Sequence, residues 1–248
     1  MAFNNNQKLA VLIDADNAQA SVIKELLAEV SIYGTATIKR AYGDWTTTNL
    51  KSWKEMLHTM AIQPIQQFSY TTGKNSTDAS LIIDAMDVLH TGAVDGFCLV
   101  SSDSDFTRLA TRIREAGLVV YGFGERKTPE PFVAACDKFV YTEILRPEKT
   151  VAKEEEKLET VADLRKLQPF VTAAIDAQAR EDGWASLGGV GSHITRIHPA
   201  FDSRNYGFKK LSELIRSLKY LEFKDVPTIR TDGVTNMNLH IRMKRVGN

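Results

Sequence analysis

The chain has 248 residues, 43% of them hydrophobic, with 31 acidic and 31 basic side chains. That is enough for one large domain or two small ones, and the overall charge balance by itself points to no partner. No apolar run reaches the roughly 18 residues of a membrane span, and MAFNNNQKLAVLIDADN has no basic segment followed by a long apolar stretch, so a soluble, cytoplasmic protein is expected.

Strand-like and helix-like segments alternate from the start. KLAVLID (8–14) is an apolar run, and AQASVIKELLAEV (18–30) has helical periodicity. TATIKRAYGD (35–44) reads as a strand, a helix follows around 50–60, and QPIQQFSY (63–70) as another strand. Then come a helix over 78–89, the strand GFCLV (96–100), a helix over 106–116, the strand LVVYGFG (118–124) and a last strand near 138–142. Cys98 and Cys136 lie in apolar stretches without metal-type spacing and read as buried, reduced thiols. This order predicts an α/β fold, a parallel sheet with helices on both faces, in which ligands gather at the carboxyl ends of the strands.

The pattern stops at RPEKTVAKEEEKLET (146–160), which is charged, poor in large apolar residues and reads as a linker. The first domain is thus expected over 1–145 and a second over 161–248. In the second, helices are expected over 163–179, 187–197 and 209–219, then a hairpin turning at Asp232–Gly233, which together suggest a small winged helix-turn-helix. Charge divides at the same place. Residues 1–159 hold 17 basic and 22 acidic side chains, and residues 160–248 hold 14 and 9. A basic small domain hints at a polyanion partner.

Four acids stand at strand ends. Asp14 and Asp16 close the first apolar run, and Asp103 and Asp105 follow GFCLV. Helix capping accounts for one acid per helix start, since Asp16 precedes one helix and Ser104 or Asp105 another, but not for Asp14 within the strand or Asp103 before the natural cap. In GKNSTDASLIIDAMDVL, Asp78 shares a helical face with Leu81, Ile82, Ala85 and Leu89 and lies in the first turn. Asp84 lies about 9 Å further along and roughly 240° around, out of reach of such a cluster. Carboxylates this close stay ionised only beside a cation, and an all-oxygen set favours Mg²⁺ or Mn²⁺, which can activate water for displacement at phosphorus. The histidines are scattered, with no nucleophile triad and no Gly-rich phosphate loop.

LIDADNA, GKNSTDASLIIDAM and LVSSDSDFTRLATRIREAGLVVYGFG together resemble the NYN family, relatives of PIN-domain ribonucleases, over roughly residues 8–145. The resemblance implies a PIN-like sandwich and metal-dependent RNA cleavage, with Asp14, Asp78, Asp103 and Asp105 as catalytic metal ligands. It places Asn17, Lys74 and Ser102 beside the substrate, and the family often has glycine where this chain has Ala15 or Ser102. DGWASLGGVGSHITRIHPAFDSRNYGFKKLSELIRSLKYLEF (182–223) resembles an OST-HTH, or LOTUS, domain, a winged helix associated with RNA or with RNA-handling proteins. Arg204, Lys209, Lys210, Arg216 and Lys219 are its candidate phosphate or partner contacts. On one continuous helix, Lys209 and Arg216 are the pair most nearly aligned.

The expected function is a metal-dependent ribonuclease with an RNA- or partner-binding module. Two rivals stand beside it. DADNA also resembles the strand-end motif of haloacid-dehalogenase-like phosphatases, whose first Asp is a nucleophile, although Ala18 replaces their usual Thr or Val and the helix starts too soon for their flap. The other rival is an RNA-binding or scaffold protein that does not turn over.

Overall fold

The structure, a computed structural model, describes residues 7–68, 76–146, 155–229 and 235–244. It divides into two compact units, 2–147 and 148–248 with Met1.

The first unit is built on six strands: β1 (Lys8–Asp14), β2 (Thr35–Gly43), β3 (Gln63–Gln66), β4 (Gly96–Val100), β5 (Val119–Gly124) and β6 (Lys138–Tyr141). All pair in parallel, in the order β3-β2-β1-β4-β5-β6. β1 and β4 are the central pair, and their uninterrupted apolar runs follow from burial on both faces. Burying each Leu, Val, Ile or Phe of these runs contributes roughly 1.5–3 kcal/mol relative to exposure. Pro64 is tolerated because β3 is an edge strand. Cys98 and Cys136 are free and buried.

The helices are α1 (Ile23–Tyr33), α2 (Trp53–Thr59), α3 (Ser76–Thr91), α4 (Thr107–Glu115) and α5 (Glu130–Ala135). Ile23, Leu26, Val30 and Tyr33 form the buried stripe of α1, and Leu81, Ala85 and Leu89 that of α3. Strand order reverses direction between β1 and β4: from β1 the chain moves outward to β2 and β3, then returns through α3 to β4 on the other side. Such a switch point opens a crevice at the carboxyl ends of the strands, where Asp14 and the segment after Val100 lie.

The second unit contains α6 (Glu155–Gln178), β7 (Ala185–Ser186), α7 (Leu187–Ile197), α8 (Leu211–Arg216), β8 (Leu221–Ile229) and β9 (Thr235–Met243). β8 and β9 form the expected antiparallel hairpin, with β7 on the far side of β9; the turn at Asp232–Gly233 lies outside the described residues. Leu167, Val171, Ile175, Val190, Ile194, Leu214, Ile215 and Ile241 fill its core. Two expectations change. α6 starts at Glu155, so the last residues of the charged linker stretch have helical backbone. α8 has six residues instead of spanning 209–219, because Lys210 is extended (φ −132°, ψ 147°). No described helix is long and apolar enough to cross a membrane.

Candidate active site

Asp14 is the last residue of β1 and is fully buried. Ile13 pairs with Val100, so the residues after that pair, Asp14 and Ser101, emerge side by side. Ser101 Oγ donates to Asp14 Oδ2 at 2.7 Å, Asn17 Nδ2 donates to the same oxygen at 2.7 Å, and the Asn17 backbone N–H donates to Oδ1 at 3.3 Å. These donors are neutral and leave the charge in place. Burial pushes the Asp14 carboxyl above the usual range, against the pull of Asn17 and Ser101, and the nearby Asp16 adds to the rise.

The segment after β4 turns at once. Asp103 N–H donates to Ser101 Oγ (3.1 Å), and Asp103 Oδ1 accepts from the Asp105 N–H (2.9 Å), so Asp103 caps the short 3-10 turn Ser104–Phe106 that leads into α4. The sequence reading had placed Asp103 before the cap; the intervening 3-10 turn moves the cap back to it. Asp16, read as a possible cap, instead accepts from Thr77 Oγ1 at 2.9 Å. Gly124 lets the strands close here, since a Cβ on it would stand 2.5 Å from the Ser101 carbonyl oxygen.

Asp78, in the first turn of α3, completes the arrangement. Carboxylate oxygens of Asp78, Asp103 and Asp105 lie within 4.8 Å of one another. Asp78 is buried and its carboxyl is pushed up to about 6, first by burial, then by the charges of Asp14, Asp103, Asp105 and Asp16. Asp14 stands outside this trio and acts on Asp78 through its charge. Asp84 turns away, pairing with Arg40 at 2.5 Å and accepting from Tyr42 Oη.

Three carboxylates gathered within 4.8 Å offer only oxygen donors, the ligand type that hard divalent ions take. The all-oxygen donor set and the crowding that lifts Asp78 point the same way.

The NYN-domain family profile matches residues 8–145, and that of the OST-HTH/LOTUS domain matches residues 162–231. The chain belongs to the NYN family. Comparison with curated proteins gives no match. Among solved structures it is similar to a Vibrio parahaemolyticus protein of unknown function, with 20% identity over 57% of this chain and 96% of that one and a TM-score of 0.47. A Chromobacterium violaceum protein fragment (175–257) is 34% identical over 33% of this chain and 84% of that one, with a TM-score of 0.27. A Nitrosomonas europaea protein is 28% identical over 42% and 85%, also with a TM-score of 0.27.

Within the NYN domain, two residues expected beside substrate are engaged internally. The Asn17 side chain braces Asp14, and Ser102 Oγ accepts from the Glu125 N–H at 2.9 Å. Lys74 lies outside the described residues. Ser101 was missed by the sequence reading because its meaning depends on the register between β1 and β4.

In the LOTUS domain, Lys209, Lys210, Arg216 and Lys219 are exposed. Arg216 reaches Asp225 at 3.4 Å and lies over the Phe223 ring, and Arg204 is held at both Nε and Nη2 by Asp202 (3.0 and 2.8 Å). With α8 confined to Leu211–Arg216, helical alignment of Lys209 with Arg216 does not hold. A second cationic group was not foreseen: Arg242 and Lys224 approach the Trp184 ring at 4.6 and 5.9 Å from its centroid.

Proposed function

We propose that this chain is a metal-dependent ribonuclease, with its LOTUS domain holding RNA. The convergence of Asp78, Asp103 and Asp105 at the switch point of a NYN sheet carries the reading. These three residues would hold Mg²⁺ or Mn²⁺, which supplies an activated water and neutralises charge at phosphorus when bound.

The chain's own residues prepare that site. Ser101 fixes Asp14 and the Asp103 backbone at once, so two carboxylates from different strands share one anchor. With Oδ1 of Asp103 engaged as a cap, its second oxygen is left for the ion. Asp14 adds buried negative charge that favours a cation on the trio. Lys74, by the family pattern, would orient the scissile phosphate. Lys209, Lys210 and Lys219, with Lys224, would neutralise phosphates elsewhere along the strand, while Arg242 is paired to Glu222 at 2.7 Å.

The phosphatase rival needs Asp14 as a nucleophile. Its full burial and its acceptance of bonds from Asn17 and Ser101 leave it poorly exposed for attack on phosphorus.

The test is incubation of the full chain with labelled single-stranded and structured RNA in Mg²⁺, Mn²⁺ or EDTA. Cleavage that EDTA removes is expected. Retarded but intact RNA in every metal would make this an RNA-binding protein, and intact RNA with phosphate released from small esters would revive the phosphatase.

A further inference from the structure

Beside the acidic trio the NYN domain has a groove of about 640 Å³ between the segment after β1 and the segment after β2. Its walls include Asp16, Ser21, Asn49 and Ser52, and its floor includes Leu50 and Trp53. That volume suits a small organic group. We propose that it receives an unpaired nucleobase of the RNA strand, next to the bond the trio cuts; this rests on the ribonuclease reading.

Charge decides which part of a nucleotide fits. Among the described residues no lysine, arginine or histidine lines the groove, whereas Asp16 and Asp44 do, and this lining repels a phosphate and admits an uncharged base. The floor is apolar: Leu50 and Trp53 are buried, and Leu50 packs so closely on Gly43 that a Cβ there would stand 2.6 Å from Leu50 Cδ1. The rim can read a base edge. Ser21, Asn49 and Ser52 are exposed and make no side-chain hydrogen bond to another described residue, and an amide offers both donor and acceptor.

The wall is also fixed in advance. Asp44 Oδ1 accepts from the Thr46 N–H and from Gln66 Nε2, while Gln66 Oε1 accepts from the Trp45 N–H, which pins the loop after β2 to β3. A preformed wall spares ordering entropy on binding. Asp16 joins groove and trio: it lines the groove, and its charge helps raise Asp78. A base held in a duplex is stacked and paired, so the groove selects single-stranded RNA.

Two variants test this without touching the acids. Ser52→Phe fills the groove from an exposed position whose side chain makes no cap bond, and Asn49→Ala removes the amide. Binding of the four ribonucleosides to the full chain is read by saturation-transfer NMR in EDTA. Cut sites in random-sequence single-stranded RNA are read by sequencing in Mn²⁺. The proposal expects at least one nucleoside to bind wild type, to bind roughly fivefold more weakly to Asn49→Ala, and to be lost from Ser52→Phe. It also expects a base bias at one position beside the cut that flattens in both variants. No nucleoside binding by wild type, equal binding by Ser52→Phe, or a base bias identical in all three proteins overturns it. Intact RNA with a nucleoside still bound and displaced by Ser52→Phe would sink the ribonuclease reading and leave the groove's preference standing.

Discussion

Asp14 and Arg204 are both charged side chains held by hydrogen bonds close in sequence or space, yet the consequences are opposite. Asp14 is bonded by neutral groups, Ser101 and Asn17, which do not cancel a negative charge, and it acts on Asp78 from a buried place. Arg204 is bonded by the carboxylate of Asp202, so its charge is spent within the protein. The same division runs through the two regions. The acids at the strand ends are fixed and mutually repelling, a state that calls for a cation. The cations of the LOTUS domain are part self-neutralised (Arg204, Arg216) and part exposed (Lys209, Lys210, Lys219). The number of charges in a sequence motif therefore says less than what each one is bonded to.

Substitutions at each region should separate accordingly, beginning with the largest effect. Asp103→Asn keeps a cap oxygen but removes a ligand charge, so RNA cleavage should fall by at least about 100-fold with the fold intact; single-turnover rates and melting curves check both halves. A variant that cleaves normally would reduce Asp103 to its capping role.

Ser101→Ala removes the hydroxyl that holds both Asp14 and the Asp103 backbone. A loss of about 1–3 kcal/mol is expected, read by denaturant unfolding. Unchanged stability would mean that Asn17 alone satisfies Asp14.

The crowded acids should also imprint a pH dependence on the metal-free protein. Asp78 sits at about 6 in the folded chain against 3.8 ordinarily, so the native state binds more protons across that window. Its contribution is full below about pH 4 and is lost as pH rises through 6, on the order of 1–2 kcal/mol. The raised Asp14 acts in the same direction. Asp78→Asn should flatten the slope in EDTA; a slope that persists must come from other groups.

The smallest contrast lies in the LOTUS domain. Arg204→Ala should lower stability by about 1 kcal/mol and leave the salt dependence of RNA binding unchanged. Lys209→Ala or Lys210→Ala should each reduce the salt slope by roughly 0.7 for a single strand. A reduced slope in Arg204→Ala would show that its pair with Asp202 opens for phosphate.

How much of this was legible follows from how local each signal is. β1 and β4 were readable because burial on both faces leaves an unbroken apolar run. α5 (Glu130–Ala135) was not seen: six residues with prolines at 129 and 131 offer no helical period. The start of α6 was read late because residues 155–160 lack an apolar stripe, and α8 was read long because the LSELIRSL spacing runs on past the point where the helix ends at Arg216. Asp78 was readable from its place on the buried stripe of α3. Ser101 was not, since a serine after a strand means little until the register sets it against Asp14.

Manganese titration of the full chain by calorimetry, compared with Asp78→Asn, tests the metal site most directly. The expected result is a single-site isotherm at pH 7.5, about tenfold weaker at pH 5 because a proton then competes for Asp78, and absent in the variant. No heat from wild type at pH 7.5, or equal binding by Asp78→Asn, would contradict a metal centre at Asp78, Asp103 and Asp105.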